Sequence, residues 1–298
     1  MARSLARAPS PVAVLQAMLT GLLTGGLYAL VGMGLALVFG VMRIVNFAHG
    51  SFLMVGMYVT YFVSTRLHVS PYLGFPLVMA ALFGMGLAVY WLLVKHVMSA
   101  PHSMQILLTA GISLFLVGLA QLLFGADYRQ LNLALASQND RLAGLSINRA
   151  YLVSFLLATA LSGGLYLLVA RTDLGRAMRA VAQNRSIAAL MGINVERVSA
   201  TTFALGAACA GIGGALLLPV FYTYPTVGEP FQIRSFVIVV LGGMGSIEGA
   251  ALGGVVLGVA ESLTAYLWSD SYSQVVNFVL FLVVLLFRPA GLLGKEPG

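Results

Sequence analysis

The stretch GLLTGGLYALVGMGLALVFGVMRIVNFAHGSFLMVGMY, residues 21–58, indicates the fold class of this chain. Its only charged residue is Arg43, and the uncharged run before Arg43 begins at residue 8. About 20 apolar residues in a helix cross a bilayer, so this run is longer than one straight crossing requires. We therefore predict membrane-spanning helices over 12–40 and 45–64, separated by a short polar interruption.

Composition extends this prediction to the whole chain. Hydrophobic residues make up 60% of the 298 residues and charged residues only 8%, whereas a soluble domain carries about 25% charged residues. The long uncharged runs predict further spans at 72–94, 103–124, 150–170, 196–220, 233–247, 250–268 and 273–288. We expect an all-α polytopic membrane protein with about eight or nine transmembrane helices, some broken or re-entrant, in a single transmembrane domain over 1–298.

The lysines and arginines between the spans predict orientation. The 171–195 loop holds four arginines against one aspartate, and the C-terminal tail holds Arg288 and Lys295. Cytoplasmic loops are enriched in lysine and arginine, so we expect both segments to be cytoplasmic. The same parity puts the N-terminus outside, although Arg3 and Arg7 favour the opposite side. We interpret MARSLARAPS as a short tail before the first span, and the modest net charge of +7 as a feature of topology, not of nucleic-acid binding.

A polar interruption, VMRIVNFAHGSF at 41–52, separates the first two predicted spans. Polar and ionisable side chains at membrane depth mark either a pathway or a structural polar network. Two interpretations stay open: a turn or broken helix whose backbone these side chains satisfy, or the lining of a translocation route. The substrate-path candidates here are Asn46, Phe47, His49 and Ser51. His49 has no second histidine or carboxylate at ligand spacing, so we predict no metal site.

A second interruption lies in EPFQIRSFVIVVLGGMGSIEGA, residues 229–250, where glycines flank a polar residue as they do in the broken helices of transporters. The substrate-path candidates here are Gly242, Gly243, Gly245 and Ser246. We expect Arg234 near a membrane face, and Glu248 and Glu261 as interfacial or capping carboxylates. The alternative is a proton-coupled carrier in which such carboxylates are buried beside a cation.

The stretch LGRAMRAVAQNRSIAALMGINVERV, residues 174–198, is predicted as a short amphipathic helix outside the lipid that ends at Gly192. The sequence contains no phosphate-binding loop, nucleophile elbow, HExxH motif or cysteine cluster. If the chain belongs to a pump, the energy must therefore enter from a separate subunit. From the residues alone, this helix either fits a groove in that partner or rests on anionic lipid.

Together, these two interruptions, the 174–198 stretch and the closing LLFRPAGLLG (285–294) resemble the LivH-type permeases of the branched-chain amino-acid ABC importers, over about residues 15 to 294. The resemblance implies a bacterial-type inner-membrane subunit that pairs with a second, homologous permease, as a heterodimer in preference to a homodimer. It further implies two cytoplasmic ATPase subunits and a periplasmic or extracellular substrate-binding protein. It also identifies the helix around 179–192, within the 171–195 loop, as the coupling helix. The residues expected at the ATPase are Arg179, Gln183, Asn184, Arg185, Ala188, Ala189, Met191 and Gly192.

The function implied by this resemblance is ATP-driven import of branched-chain or related hydrophobic amino acids. No cofactor is expected on this chain, since ATP and Mg²⁺ would bind in the partner subunits, and the chain itself is not expected to be an enzyme. We expect the route to pass NFAHG and GGMGS near mid-membrane. Urea, short amides or other amino acids are alternative substrates. An ion-coupled secondary carrier and a non-transporting membrane scaffold are alternatives from other classes.

Overall fold

The computed structural model describes residues 10–142, 144–288 and 290–294. Most of this part of the chain is helical, with one small antiparallel hairpin. The α-helices are α1 (Pro11–Met42), α2 (His49–Arg66), α3 (Pro71–Leu92), α4 (His102–Phe124), α5 (Arg149–Arg171), α6 (Asp173–Gln183), α7 (Arg185–Leu190), α8 (Val195–Leu217), α9 (Gly228–Gly242), α10 (Ile247–Leu267) and α11 (Ser273–Phe287). The hairpin strands are β1 (Asn139–Leu142) and β2 (Leu145–Asn148), and short 3-10 turns lie at Val94–Val97, Ala134–Ser137 and Asp270–Tyr272.

The predicted all-α polytopic class is confirmed. Within the described residues, seven helices are long and apolar enough to cross a membrane: α1, α3, α4, α5, α8, α10, and α11 with the turn before it. The two remaining predicted spans correspond to α2 and α9, which have 18 and 15 residues. The expected start of the seventh span at 233 is wrong, since α9 begins at Gly228 and takes Glu229 into its first turn.

Helix α1 is the centre of the bundle. Its 32 residues span about 48 Å at 1.5 Å per residue, more than a straight crossing needs. It runs antiparallel to α10 at very short range, because a β-carbon at Gly25 would lie 2.8 Å from the Cα of Val255. Helices in lipid gain little from hydrophobic association, so close backbone approach along small residues supplies the packing.

The first polar interruption folds back into the bundle. Helix α1 ends at Met42, Arg43 adopts the left-handed conformation with φ 59°, and α2 begins only at His49. The His49 Nε2 lies 2.9 Å from the carbonyl oxygen of Val31, in the middle of α1. Helix α2 therefore starts inside the bundle. Helix α9 starts at the same level, because Gly228 packs directly against Gly50.

The GGMGS interruption lies elsewhere. Gly245 packs against Gly40 near the C-terminal end of α1. The expected mid-membrane position of GGMGS is therefore wrong. Helix α9 runs as far as the C-terminal end of α1, and the chain turns into α10 only there. The closing motif meets this turn: the N–H groups of Leu292 and Leu293 donate to the carbonyls of Leu241 and Gly242 at 2.8 and 3.0 Å.

The two ends of the bundle carry different structures. Helices α6 and α7 lie at the end where α1 finishes, and the hairpin lies at the end where α1 begins. The Gln16 side chain connects α1 to the hairpin, donating to the carbonyl of Ser146 at 2.8 Å and accepting from its N–H at 2.7 Å. This pairing fixes the hairpin to the start of α1.

Positive charges concentrate at the α6–α7 end. The described lysines and arginines at that end are Arg43, Lys95, Arg171, Arg176, Arg179, Arg185, Arg197 and Arg288. Those at the hairpin end are Arg66, Arg129, Arg141 and Arg149. The positive-inside rule therefore predicts that the α6–α7 end is cytoplasmic. The N-terminal tail with Arg3 and Arg7, and Lys295 at the other terminus, lie outside the described residues.

Candidate functional site: a groove at the broken helices

A groove forms where α2 and α9 begin and α4 passes beside them. Its volume is about 380 Å³, within the roughly 300–1,000 Å³ of typical ligand pockets. Its lining combines apolar side chains with a few polar groups. The lining residues are Phe47, Gly50, Ser51, Ala110, Ser113, Leu114, Val117, Gly228, Glu229, Gln232, Ile233 and Phe236.

Gln232 connects the two broken helices. Its side-chain Oε1 accepts a hydrogen bond from the N–H of Gly50 at 2.5 Å, and its Nε2 donates to the carbonyl of Asn46 at 3.1 Å. Gln232 is buried, with 9% of its surface exposed. It satisfies backbone groups that no helix can pair, since non-helical backbone in a membrane bundle needs partners from neighbouring elements. Gln232 was not among the predicted site residues, because it lies just before the predicted start of the span at 233.

Helix α4 is joined to the same interruption through two hydroxyl groups. The Thr109 hydroxyl accepts from the N–H of Phe47 and donates to the carbonyl of Val45, both at 3.2 Å. The Ser51 and Ser113 hydroxyls share a hydrogen bond of 2.7 Å. Neither Thr109 nor Ser113 was predicted as a site residue, because both lie in the apolar run 103–124, which is typical of an ordinary membrane span.

The four candidates of the first interruption separate into two pairs. Phe47 and Ser51 line the groove. Asn46 and His49 are buried behind it, with exposed fractions of 1% and 0%. The Asn46 Oδ1 accepts from the N–H of Ala48 at 3.0 Å, while the Asn46 Nδ2 and the His49 Nδ1 have no partner among the described residues. A transport role for any of the four stays a prediction.

The structure does not bring the GGMGS candidates to the groove. Gly243 and Gly245 have φ values of 104° and 88°, which L side chains rarely adopt, and they form the turn into α10. The Ser246 hydroxyl accepts from the N–H of Gly249 at 3.0 Å and so caps α10. With Arg179 and Glu248, this turn borders a separate cleft at the α6–α7 end of the bundle. A transport role for the GGMGS candidates also stays a prediction.

Arg234 and Glu261 are buried together, so their expected interfacial positions are wrong. The Arg234 Nε lies 2.7 Å from the Glu261 Oε1, and their side chains are 19% and 10% exposed. The Tyr28 hydroxyl donates to the other carboxylate oxygen at 3.0 Å, and the Asn277 amide donates to Oε1. These residues come from α9, α10, α1 and α11. Their mutual compensation allows ionisable groups to lie inside the bundle.

The 171–195 loop contains two helices instead of the single helix that was predicted. Asn184 ends α6 and starts α7, and its side chain accepts from the N–H of Ile187 at 3.0 Å. An asparagine side chain that accepts from a backbone N–H competes with the backbone hydrogen bonds of a continuous helix. This competition explains why the helix is interrupted at Asn184. The predicted end at Gly192 is confirmed by its left-handed φ of 81°.

Helix α7 and the residue after it expose apolar side chains at this end of the bundle. Ile187, Leu190 and Met191 are 58%, 86% and 77% exposed, whereas Ala188 is buried against the bundle. Gln183, Asn184, Ala189 and Gly192 are exposed as well. We call Ile187, Leu190 and Met191 the apolar knob.

The two expected coupling arginines make contacts within the chain. Arg179 donates to the carbonyl of Val169, in the last turn of α5. Arg185 donates to the Ser199 hydroxyl at 3.5 Å. Both guanidinium groups thus fix the loop to α5 and α8, where a cation near the C-terminus of α5 is favoured by the helix dipole.

Residues 17–285 match the family described as "Branched-chain amino acid transport system / permease component". The chain belongs to this family. It is a permease component, and permease components are not themselves enzymes. As a member of the family with multiple apolar helices, it is a multi-pass membrane protein.

Relatives of this permease cover nearly its whole length. It is 34% identical over 294 residues to the high-affinity branched-chain amino acid transport system permease protein BraD of Pseudomonas aeruginosa, covering 94% of this chain and 96% of BraD. It is 34% identical over 316 residues to LivH of Escherichia coli K12, with the same coverage. A probable branched-chain amino acid transport permease protein LivM of Methanocaldococcus jannaschii is 27% identical over 143 residues, 42% of this chain and 41% of LivM. No solved structure matches the chain.

Proposed function

We propose that this chain is the membrane-spanning subunit of an ATP-driven importer of branched-chain amino acids. The observation that carries the proposal is the family match over residues 17–285 together with two relatives named for branched-chain amino acid transport. The groove at the broken helices is the proposed part of the translocation path. Its mainly apolar lining suits aliphatic side chains.

The proposed assembly contains a second permease, two cytoplasmic ATPases and a soluble substrate-binding protein outside the membrane. The partial similarity to a LivM protein supports a heterodimer of related permeases. ATP and Mg²⁺ would bind in the ATPase subunits, and this chain would contact neither. The bilayer surrounds the permease pair, and nucleic acid has no role.

The apolar knob is the proposed docking site for an ATPase. Exposed leucine, isoleucine and methionine on a short helix outside the lipid are suited to a partner's groove. The 171–195 loop would thus act as a coupling element, pushed when the ATPases close on ATP. The arginines that fix this loop to α5 and α8 would transmit the push to the bundle.

The ion-coupled alternative requires a carboxylate buried beside a cation, and Glu261 beside Arg234 fits that description. Glu261 does not line the groove, however, and its carboxylate is held by Arg234 and Tyr28. Glu248 is exposed in the first turn of α10, at the cytoplasmic end. A coupling carboxylate must bind and release an ion along the path, and neither residue is placed for that.

The test is reconstitution in proteoliposomes with and without the ATPases, the binding protein and ATP. We expect uptake of L-leucine only when all components are present. Uptake driven by an ion gradient through this chain alone would contradict the proposal.

The apolar knob has its own test. We expect Leu190→Asp to reduce co-purification of the ATPase and ATP-driven uptake, while the sister permease still co-purifies. Leu190→Met is the matched control, since it keeps an apolar side chain of similar volume. If the Leu190→Asp variant co-purified with as much ATPase as the wild type, the apolar knob would not be part of the interface.

A further inference from the structure

Glu229 is the one charged residue among the side chains that line the groove in the described part of the chain. It is exposed and lies in the first turn of α9. None of the ion pairs between described residues includes it. An unpaired carboxylate in a mainly apolar groove is available to a cationic group of a ligand.

Hydrogen-bonding groups of a different kind lie on the α2 side of the same groove. The Ser51 and Ser113 hydroxyls hydrogen-bond each other there, which leaves one of their two protons free to be donated to an anion. Ser51 is also in the first turn of α2, where the helix dipole places partial positive charge. Behind this turn, the buried Asn46 Nδ2 is a donor with no partner among the described residues. This side of the groove therefore suits a carboxylate.

The remaining walls are apolar. Leu114 and Val117 of α4 face Ile233 and Phe236 of α9 across the groove. Such walls favour an aliphatic group and offer nothing to a sugar hydroxyl or a second charge.

We propose that the groove binds an α-amino acid as its zwitterion, with Glu229 holding the ammonium group, the Ser51–Ser113 side holding the carboxylate, and the apolar walls holding an aliphatic side chain. This inference rests on the proposed function and deepens it, because it makes Glu229 the residue that selects zwitterions. Uncharged solutes such as urea and short amides lack the cation that Glu229 requires. They are therefore excluded as good ligands of this groove.

The first experiment measures ATP-driven uptake of L-leucine by the complete reconstituted transporter carrying Glu229→Gln, Glu229→Asp or Asp127→Asn. The Glu229→Gln variant loses one charge-assisted hydrogen bond, so we expect its maximal rate to fall at least about tenfold. Glu229→Asp should retain a larger share of the rate. Asp127→Asn, which neutralises another exposed carboxylate that does not line the groove, should transport like the wild type.

The outcomes distinguish a failure of the proposed function from a failure of the role proposed for Glu229. A wild-type transporter that carries no L-leucine would overturn the proposed function. A wild type that carries L-leucine at the same rate as Glu229→Gln would overturn the role of Glu229 and leave the proposed function standing. Co-purification of the partner subunits with each variant shows that assembly is intact.

A second experiment uses only the wild-type assembly, without the binding protein. Equilibrium binding is compared for L-leucine, 4-methylpentanoate (which lacks the ammonium group), 3-methylbutan-1-amine (which lacks the carboxylate) and isobutyramide (which is uncharged). We expect L-leucine to bind more tightly than each analogue that lacks one charge, and isobutyramide to bind least. Equal binding of L-leucine and 4-methylpentanoate, or no binding of L-leucine at all, would overturn the assignment.

Discussion

The Nε of Arg234 lies 2.7 Å from the Oε1 of Glu261, which joins α9 to α10 inside the bundle. This contact is the centre of a polar network that also includes Tyr28 and Asn277. The half-helix α9 carries groove residues on one side and Arg234 on another. The network therefore holds the helix that shapes the groove.

Removing one partner of this ion pair should be more harmful than removing both. We expect Arg234→Gln to destabilise the protein by about 3–5 kcal/mol, because it leaves the Glu261 charge buried and unpaired. The double change Arg234→Met with Glu261→Leu should restore much of that loss. Thermal unfolding of the purified protein in detergent measures both effects, and a double variant no more stable than Arg234→Gln would contradict the expectation.

Gln232 should be essential for the shape of the interruption at 43–48. Gln232→Leu leaves the N–H of Gly50 without its partner, and it leaves the carbonyl of Asn46 with only the longer bond of 3.4 Å from the N–H of His49. A buried group left unsatisfied costs about 1–3 kcal/mol, so we expect a lower melting temperature and reduced uptake. Gln121→Leu on α4 is the control, because Gln121 is exposed and its side chain makes no hydrogen bond with another described residue. Equal stability of the two variants would show that Gln232 does not support the interruption.

The close packing of α1 on α10 should not tolerate a large side chain. A side chain at Gly25 would enter the backbone of α10, with its first carbon 2.8 Å from the Cα of Val255. We expect Gly25→Leu to reduce the yield of folded protein, since overpacking costs about 1–3 kcal/mol or more. Gly118→Leu is the matched control, because nothing lies within 4 Å of a β-carbon at Gly118. Size-exclusion chromatography and thermal unfolding compare the two variants, and equal behaviour would argue against close helix contact at Gly25.

The hairpin at the start of α1 should become less stable in acid. Arg149 donates to both carboxylate oxygens of Asp140, at 2.8 and 2.7 Å, and this contact lowers the pKa of Asp140 below its ordinary value of 3.8. A lowered pKa means that the stabilising contact is complete above the ordinary value and is lost as pH falls through the lowered value. Hydrogen exchange of residues 138–149, corrected for the intrinsic pH dependence of exchange, should therefore rise below about pH 4. Asp140→Asn should exchange faster at neutral pH and lack this acid transition, and an identical pH profile in both proteins would contradict the role of the pair.

The sequence by itself determined the fold class and the approximate position of most spans, and it predicts the orientation. A bilayer requires about 20 apolar residues for each crossing and selects cytoplasmic loops by their positive charge, so both properties are local and readable along the chain. The polar interruption at 41–52 and the glycine that ends the short helix at Gly192 were visible because they too are local features of the sequence.

Only the tertiary structure decided which polar groups meet. Gln232 reaches Gly50 across 182 positions, and Arg234 reaches Glu261 across 27 positions, so neither pair has a spacing that a helix would reveal. In the structure, GGMGS also lies away from the groove, and the 171–195 loop forms two helices that meet at Asn184. Partner choice inside a membrane bundle depends on how the helices are arranged around α1, and that arrangement comes from close backbone packing, which hydropathy along the chain does not encode.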